Sequence, residues 1–262
     1  MKAWQWHGHE FVRSETVPIT DRGFRYGMAL FESLRVRQGE PLFLDEHLCR
    51  LREACAQRHF PIAEEALAAV GNALRRAGED GFARIYITGG DGMAASPPEA
   101  CRVYVMLEER ARSAHEAFHV GLSPELHQPL FGGLKTGNYW LNIDVLQRGY
   151  QHGKQEMLLF NEHAELISAC MANVFLVHGE TLSTPSHACG AREGVVRAWV
   201  KERRRVRERS LFAEDVKTAS EVFITNSWLG VMPVNEVEGR TLPSHTVAEA
   251  LREEYEAKVA EQ

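Results

Sequence analysis

The stretch GGLKTGNYW, residues 132–140, decides how the rest of this sequence is read. Its lysine, Lys135, is one of only six, with Lys2, Lys154, Lys201, Lys217 and Lys258, although Lys and Arg together number 30. Two glycines stand just before it, and Thr136, Gly137, Asn138 and two aromatics follow at once. A surface lysine needs no such setting, whereas a lysine that must react with a carbonyl does. Its amine is a nucleophile only when deprotonated, and burial or a nearby cation lowers its pKa. The aromatics Tyr139 and Trp140 and the glycines are expected to supply that burial. By itself this is weak evidence, because a lysine in a glycine loop is usually just exposed.

The bulk numbers are permissive. A chain of 262 residues can form one large domain or two modest ones with a real core. Apolar residues make up 44% and charged residues 25%, ordinary for a globular protein, and a net charge of −6 gives no reason to expect a nucleic-acid surface. The strongest basic run, KERRRVRERS (201–210), follows an apolar helical pattern and reads as a solvated helix end. Cys49, Cys55, Cys101, Cys170 and Cys189 show no CxxC spacing, which suits a reducing cytoplasm. There is no apolar N-terminal segment and no apolar run near 18 residues, so neither a signal peptide nor a membrane span is expected. His7 and His9 lack a third ligand nearby, and no metal is expected.

Along the chain, residues 3–17 read as a hairpin and residues 29–44 as strand, glycine turn and strand, with Asp45 as N-cap of a helix ending before Pro61. A second helix is expected over 63–77, stopping at Gly78. ARIYITGG and CRVYVMLEE read as strands. The looser stretch GLSPELHQPLFGGL is the linker candidate, giving an N-terminal α+β domain over 1–120, a linker over 121–133 and a second domain over 134–262. That second part has a helix near Leu141–Leu146, the strands EMLLFN, ANVFLVH and EVFITNS, the helix GVVRAWVKERR and a terminal helix from Val247 to Gln262. Short strands with clustered helices argue a mixed α/β layout rather than a regular βαβ series.

Six segments occur in order: DRGFRYGMALFESLRV (21–36), EHLCRL (46–51), LKTGNYW (134–140), ISACMANVFLV (167–177), TPSHACGAREGVVR (184–197) and ITNSWLGVMPV (224–234). Together they resemble the class IV aminotransferases, fold type IV enzymes that use pyridoxal 5'-phosphate (PLP), and the resemblance covers nearly the whole chain. It implies a smaller N-terminal α+β domain, a C-terminal pseudo-barrel domain with PLP in the cleft between them, a homodimer and a small-molecule substrate. It makes Lys135 the Schiff-base lysine and proton carrier. It assigns the phosphate to the backbone N–H groups of Val195 and Val196, where GVVR opens a helix, to Ser227 of TNS and to Arg50 of HLCRL, and it makes Asn226 of TNS a cofactor-binding residue. Tyr139 matches a tyrosine that in some members bonds the cofactor's phenolic oxygen, the alternative being a plain core tyrosine. Tyr26, Arg35 and Arg84 occupy positions where some relatives bind a substrate carboxylate, although a strand arginine facing solvent would look the same.

Two departures matter. The loop DGMAASPPEA lacks the arginine that lyase members often carry there. At the position five residues before Asn173, where many members place a glutamate on the pyridine nitrogen, this chain has Ser168. A carboxylate keeps that nitrogen protonated, whereas a serine hydroxyl can only hydrogen-bond. Glu165, three residues earlier, falls on the other face of a strand. Ser168 and the TNS…Gly-Val-x-Pro-Val pattern favour a 4-amino-4-deoxychorismate lyase of folate synthesis. The segments KTGNY and GDGM favour an amino-acid transaminase of branched-chain or D-amino acid type. A scaffold that has lost its cofactor is the third reading.

Overall fold

The computed structural model describes residues 1–111 and 115–261. They divide into two compact units, residues 1–111 with 135–138, and residues 115–134 with 139–261.

The first unit contains β1 (Lys2–Trp6), β2 (Phe11–Arg13), α1 (Arg22–Tyr26), β3 (Ala29–Arg37), β4 (Glu40–Pro41), α2 (Leu44–Gln57), α3 (Glu64–Ala77), β5 (Gly81–Thr88) and β6 (Arg102–Glu108). Its six-stranded sheet runs β2-β1-β6-β5-β3-β4. β3 and β5 pair antiparallel from Ala29↔Thr88 to Val36↔Gly81, so their side chains sort onto two faces with period two. Leu30, Leu34, Val36, Ala83, Ile85 and Ile87 share one fully buried face, and α2 packs against β3. Helix α2 does not take Asp45 as its cap. It starts at Leu44 after Phe43, which lies in the left-handed region at φ 53°, and Asp45 falls in the first turn, where a carboxylate still favours the helix dipole. Helix α3 closes on Gly78 at φ 66°, the conformation glycine adopts without a Cβ clash.

The second unit contains β7 (Phe118–Leu126), α4 (Trp140–Gln151), β8 (Glu156–Phe160), β9 (Leu166–Ala169), β10 (Asn173–His178), β11 (Thr181–Pro185), α5 (Val195–Arg203), β12 (Val206–Arg209), α6 (Ala213–Thr218), β13 (Glu221–Asn226), β14 (Gly230–Val237), β15 (Arg240–Thr241) and α7 (Thr246–Ala260). Its nine-stranded sheet runs β12-β11-β10-β13-β14-β7-β8-β9, with β15 on β14. Phe118, Val120, Leu158, Val174, Leu176, Val222, Ile224 and Val234 build its core.

The linker candidate, residues 121–133, instead contributes the second half of β7, which pairs in parallel with β14 and β8. Gly121, Ser123 and Pro124 interrupt its apolar run, while the inward positions Phe118 and Val120 are buried. The basic run 201–210 is not one helix end either: α5 stops at Arg203 and residues 206–209 form edge strand β12. A charged strand is tolerated at an edge, where its outer rim faces water. Gln262, included in the terminal helix expected from sequence, lies outside the described residues. No helix of the described residues is long and apolar enough to cross a membrane.

Candidate functional site

In the first unit, residues 135–137 lie alongside the start of β3. The Phe31 N–H donates to the Lys135 carbonyl at 2.9 Å, Leu30 and Thr136 form an antiparallel bridge, and the Gly137 N–H donates to the Ala29 carbonyl at 2.8 Å. Lys135 is half-buried, and its Nζ sits 3.9 Å from the Phe31 ring centroid. Phe31 in turn stacks on Tyr86 at 5.3 Å. The aromatic partner of the lysine is therefore Phe31, not Trp140, which is 82% exposed. The neighbours in sequence point elsewhere because Trp140 opens a helix.

The cross-strand pairs Phe31↔Tyr86, Ser33↔Arg84 and Arg35↔Phe82 put all six residues on one face of the sheet. The structure thus brings Arg35 and Arg84 onto the face that carries Phe31, the ring beneath Lys135. Arg84 donates to Glu108 at 3.4 Å and lies 4.8 Å over Phe82. Tyr26 is not on this sheet. It ends helix α1, is 46% exposed and has Arg25 over its ring.

On the opposite face Glu32 is only 2% exposed. It accepts Arg50 Nε at 2.7 Å and Arg50 Nη2 at 2.6 Å, one on each oxygen, and lies 2.8 Å from His47 Nδ1. Burial would raise its carboxyl pKa. The Arg50 charge and the His47 and Arg50 hydrogen bonds outweigh that and hold it well below the usual carboxylate range. An ionised carboxylate only accepts, so His47 Nδ1 carries the proton. His47 is kept neutral chiefly by burial, with the Arg50 and Lys135 charges adding to it against the pull of Glu32. Arg50, assigned by resemblance to the phosphate, is thus oriented by a fork onto Glu32. A signal for Glu32 was present: an acid at the inward position between Leu30 and Leu34.

The loop after β5 lacks its own arginine and is held by Arg22, from the motif DRGF. Its fully buried guanidinium donates to the carbonyls of Gly89, Gly90 and Ser96. That arginine shapes backbone and was not singled out from sequence.

In the second unit, Gly194 caps α5 without any side-chain hydrogen bond, so the first N–H groups, at Val195 and Val196, are not closed off by a capping residue. A Cβ on Gly194 would lie 2.1 Å from Asn173 Oδ1, so only glycine lets the helix start this close. Asn173 Nδ2 also donates to the Arg192 carbonyl at 2.7 Å, and Asn173 pairs in register with Thr225. Asn173 therefore ties the start of α5 to the ends of β10 and β13, next to Asn226 and Ser227. Asn226 builds the turn: its Oδ1 accepts the Trp228 and Leu229 N–H groups at 3.0 and 2.7 Å, and its Nδ2 donates to Met171. With both ends of its amide engaged, Asn226 shapes the turn that carries Ser227. An uncapped helix start of a nine-residue helix, a glycine cradle and an adjacent serine form a donor set suited to a phosphate.

Ser168 lies on β9 opposite Leu159 of β8. Glu165 is committed elsewhere: it accepts Asn161 Nδ2 at 2.8 Å and the Ser210 hydroxyl, and these bonds hold its carboxyl below its ordinary range. Glu156, missed from sequence, is buried and accepts the N–H groups of Met157 at 3.2 Å and Met171 at 3.0 Å. Burial pushes it up to about 7. Tyr139 is half-buried, and its hydroxyl accepts Arg192 Nη1 at 2.5 Å.

The family model "Amino-transferase class IV" matches residues 29–237. The branched-chain-amino-acid aminotransferase of Salmonella typhimurium is 26% identical over 261 residues, covering 89% of this chain and 84% of that protein. The aminodeoxychorismate lyase of Vibrio harveyi is 28% identical over 241 residues, covering 84% and 87%. Among solved structures, 4-amino-4-deoxychorismate lyase from Pseudomonas aeruginosa superposes with a TM-score of 0.86 at 27% identity, covering 96% of this chain and 97% of that one.

Proposed function

The chain belongs to the class IV aminotransferases, enzymes that use PLP, and on that premise we propose that it is a 4-amino-4-deoxychorismate lyase, forming 4-aminobenzoate and pyruvate. Bound PLP supplies an electron sink for the charge left on the substrate. Val195 and Val196 N–H, with Ser227, would hold its phosphate, and Lys135 Nζ would be the amine that holds its aldehyde carbon and the group that moves the substrate proton. Arg35 and Arg84 bind substrate carboxylate.

The observation that carries the lyase reading is Ser168. The nearest carboxylate in sequence, Glu165, is bonded to Asn161 and Ser210. A hydroxyl leaves the ring nitrogen without the opposite charge that would keep it protonated. Elimination expels its leaving group promptly and tolerates that weaker sink better than transamination does. The likeness to branched-chain aminotransferases, with the KTGNY and GDGM segments, supports amino-acid transamination as the second reading. In the lyase reading the enzyme serves folate synthesis in the cytoplasm as a homodimer, an assembly that light scattering on the purified protein tests.

The test is pyruvate release from 4-amino-4-deoxychorismate by wild type and Lys135→Ala, beside single-turnover conversion of PLP to its amine form by amino acids. Lysine-dependent pyruvate release supports the lyase. Amine-form conversion without pyruvate gives the transaminase.

A further inference from the structure

We propose that Arg192 is a positioning residue: it locks Tyr139 as a hydrogen-bond donor toward the anionic ring oxygen of the cofactor and clamps both ends of the segment that bears Lys135. This rests on the PLP reading but not on the choice between lyase and transaminase. Arg192 makes two side-chain hydrogen bonds, Nη1 to the Tyr139 hydroxyl at 2.5 Å and Nε to the Gly133 carbonyl at 3.0 Å. In the chain, Gly133 stands two residues before Lys135 and Tyr139 four residues after it.

A guanidinium has donors and no acceptor. The Tyr139 oxygen therefore accepts from Arg192, and its own proton is directed to a different acceptor. A cation behind the phenol also polarises its O–H and strengthens it as a donor to negative charge. The neighbouring His127 is held neutral by burial and then by the Arg192 charge itself.

The clamp has a rigid base. The Arg192 carbonyl is fixed by Asn173. Gly133, at φ 85°, approaches Gly190 so closely that a Cβ would lie 2.5 Å from the Gly190 carbonyl oxygen. Arg192 thus links the strand end beside the phosphate cradle to the backbone flanking the lysine.

The experiment is titration of PLP into purified protein, reading the dissociation constant and the position of the visible band for wild type, Arg192→Met, Arg192→Lys, Tyr139→Phe and the Met/Phe double variant. Arg192→Met is expected to weaken PLP binding roughly tenfold, the loss of one charge-assisted hydrogen bond, and to shift the band. In the Tyr139→Phe background the same change is expected to cost less than about threefold, because the two residues act as a unit. Arg192→Lys, a point charge that cannot fork onto both partners, is expected to recover part of the affinity and band position. It also serves as the test should the Met variant not fold. An unchanged constant and band in Arg192→Met, or an equal loss in both backgrounds, would overturn the proposal while leaving the cofactor reading intact. A wild type without a Lys135-dependent band would remove both.

Discussion

Replacing Glu32 by alanine tests the buried triad directly. The carboxylate is 2% exposed, and its partners are a fully buried His47 and an Arg50 whose side chain is 21% exposed. Removing the acid takes away the carboxylate that a mostly buried guanidinium and a buried imidazole N–H both bond. Breaking such a pair from one side costs about 3–5 kcal/mol. At about 2–4 °C per kcal/mol for a protein of this size, the midpoint of thermal unfolding is expected to fall by roughly 6–20 °C. Glu32→Gln keeps the shape and one acceptor, and is expected to lose about half as much, the charge-assisted part of the bonds. The pH dependence has a definite sign. Because the folded-state pKa of Glu32 is depressed, its contribution is complete above the unfolded value near about 4.3 and is lost as pH falls through the lower folded value. Circular dichroism melts at pH 7 and pH 3 check both points. A Glu32→Ala protein within about 1 kcal/mol of wild type at pH 7 would refute the reasoning, since the three residues would then be neighbours without coupling.

Glu156 titrates in the opposite sense. Burial raises its folded pKa to about 7, so it favours folding below the unfolded value near about 4.3 and loses that advantage as pH rises through about 7. Glu156→Gln, whose single amide oxygen can accept from only one of the Met157 and Met171 N–H groups, is expected to flatten that slope and to gain less than the roughly 3 kcal/mol of the shift over wild type at pH 8, read by urea unfolding at pH 5 and pH 8. Gly194→Ala places a Cβ 2.1 Å from Asn173 Oδ1 and is expected to cost about 1–3 kcal/mol by overpacking. It is also expected to weaken PLP uptake, and normal uptake would mean that the start of α5 is not the phosphate cradle. Ser168→Glu introduces the carboxylate that many family members carry five residues before the Asn of this motif. Faster amine-form conversion of PLP by amino acids relative to pyruvate release is expected, and an unchanged ratio would detach Ser168 from the choice of reaction.

The sequence by itself determined the family and most regular elements, because these depend on local signals. Period-two apolar alternation marks β3 and β5. A glycine stop ends α3. The glycine before Val195 and the rare lysine behind two glycines are visible as short strings, and they make Lys135, Val195, Val196 and Ser227 the candidates. Local patterns failed where pairing partners lie far along the chain. β7 holds Gly121, Ser123 and Pro124 yet is a strand, because β14 and β8 supply its hydrogen bonds from about thirty-five to more than a hundred residues away. Residues 206–209 form a strand because β11 accepts them at the sheet edge. The same holds for side chains. That Phe31 rather than Trp140 lies under Lys135, that Arg50 forks onto Glu32, and that Arg192 bonds Tyr139 each join residues 18 to 104 positions apart. Sequence spacing fixes which face of its own element a side chain occupies. Only tertiary packing decides which other element that face meets, and with it the charge and hydrogen-bond partners that set the chemistry of each group.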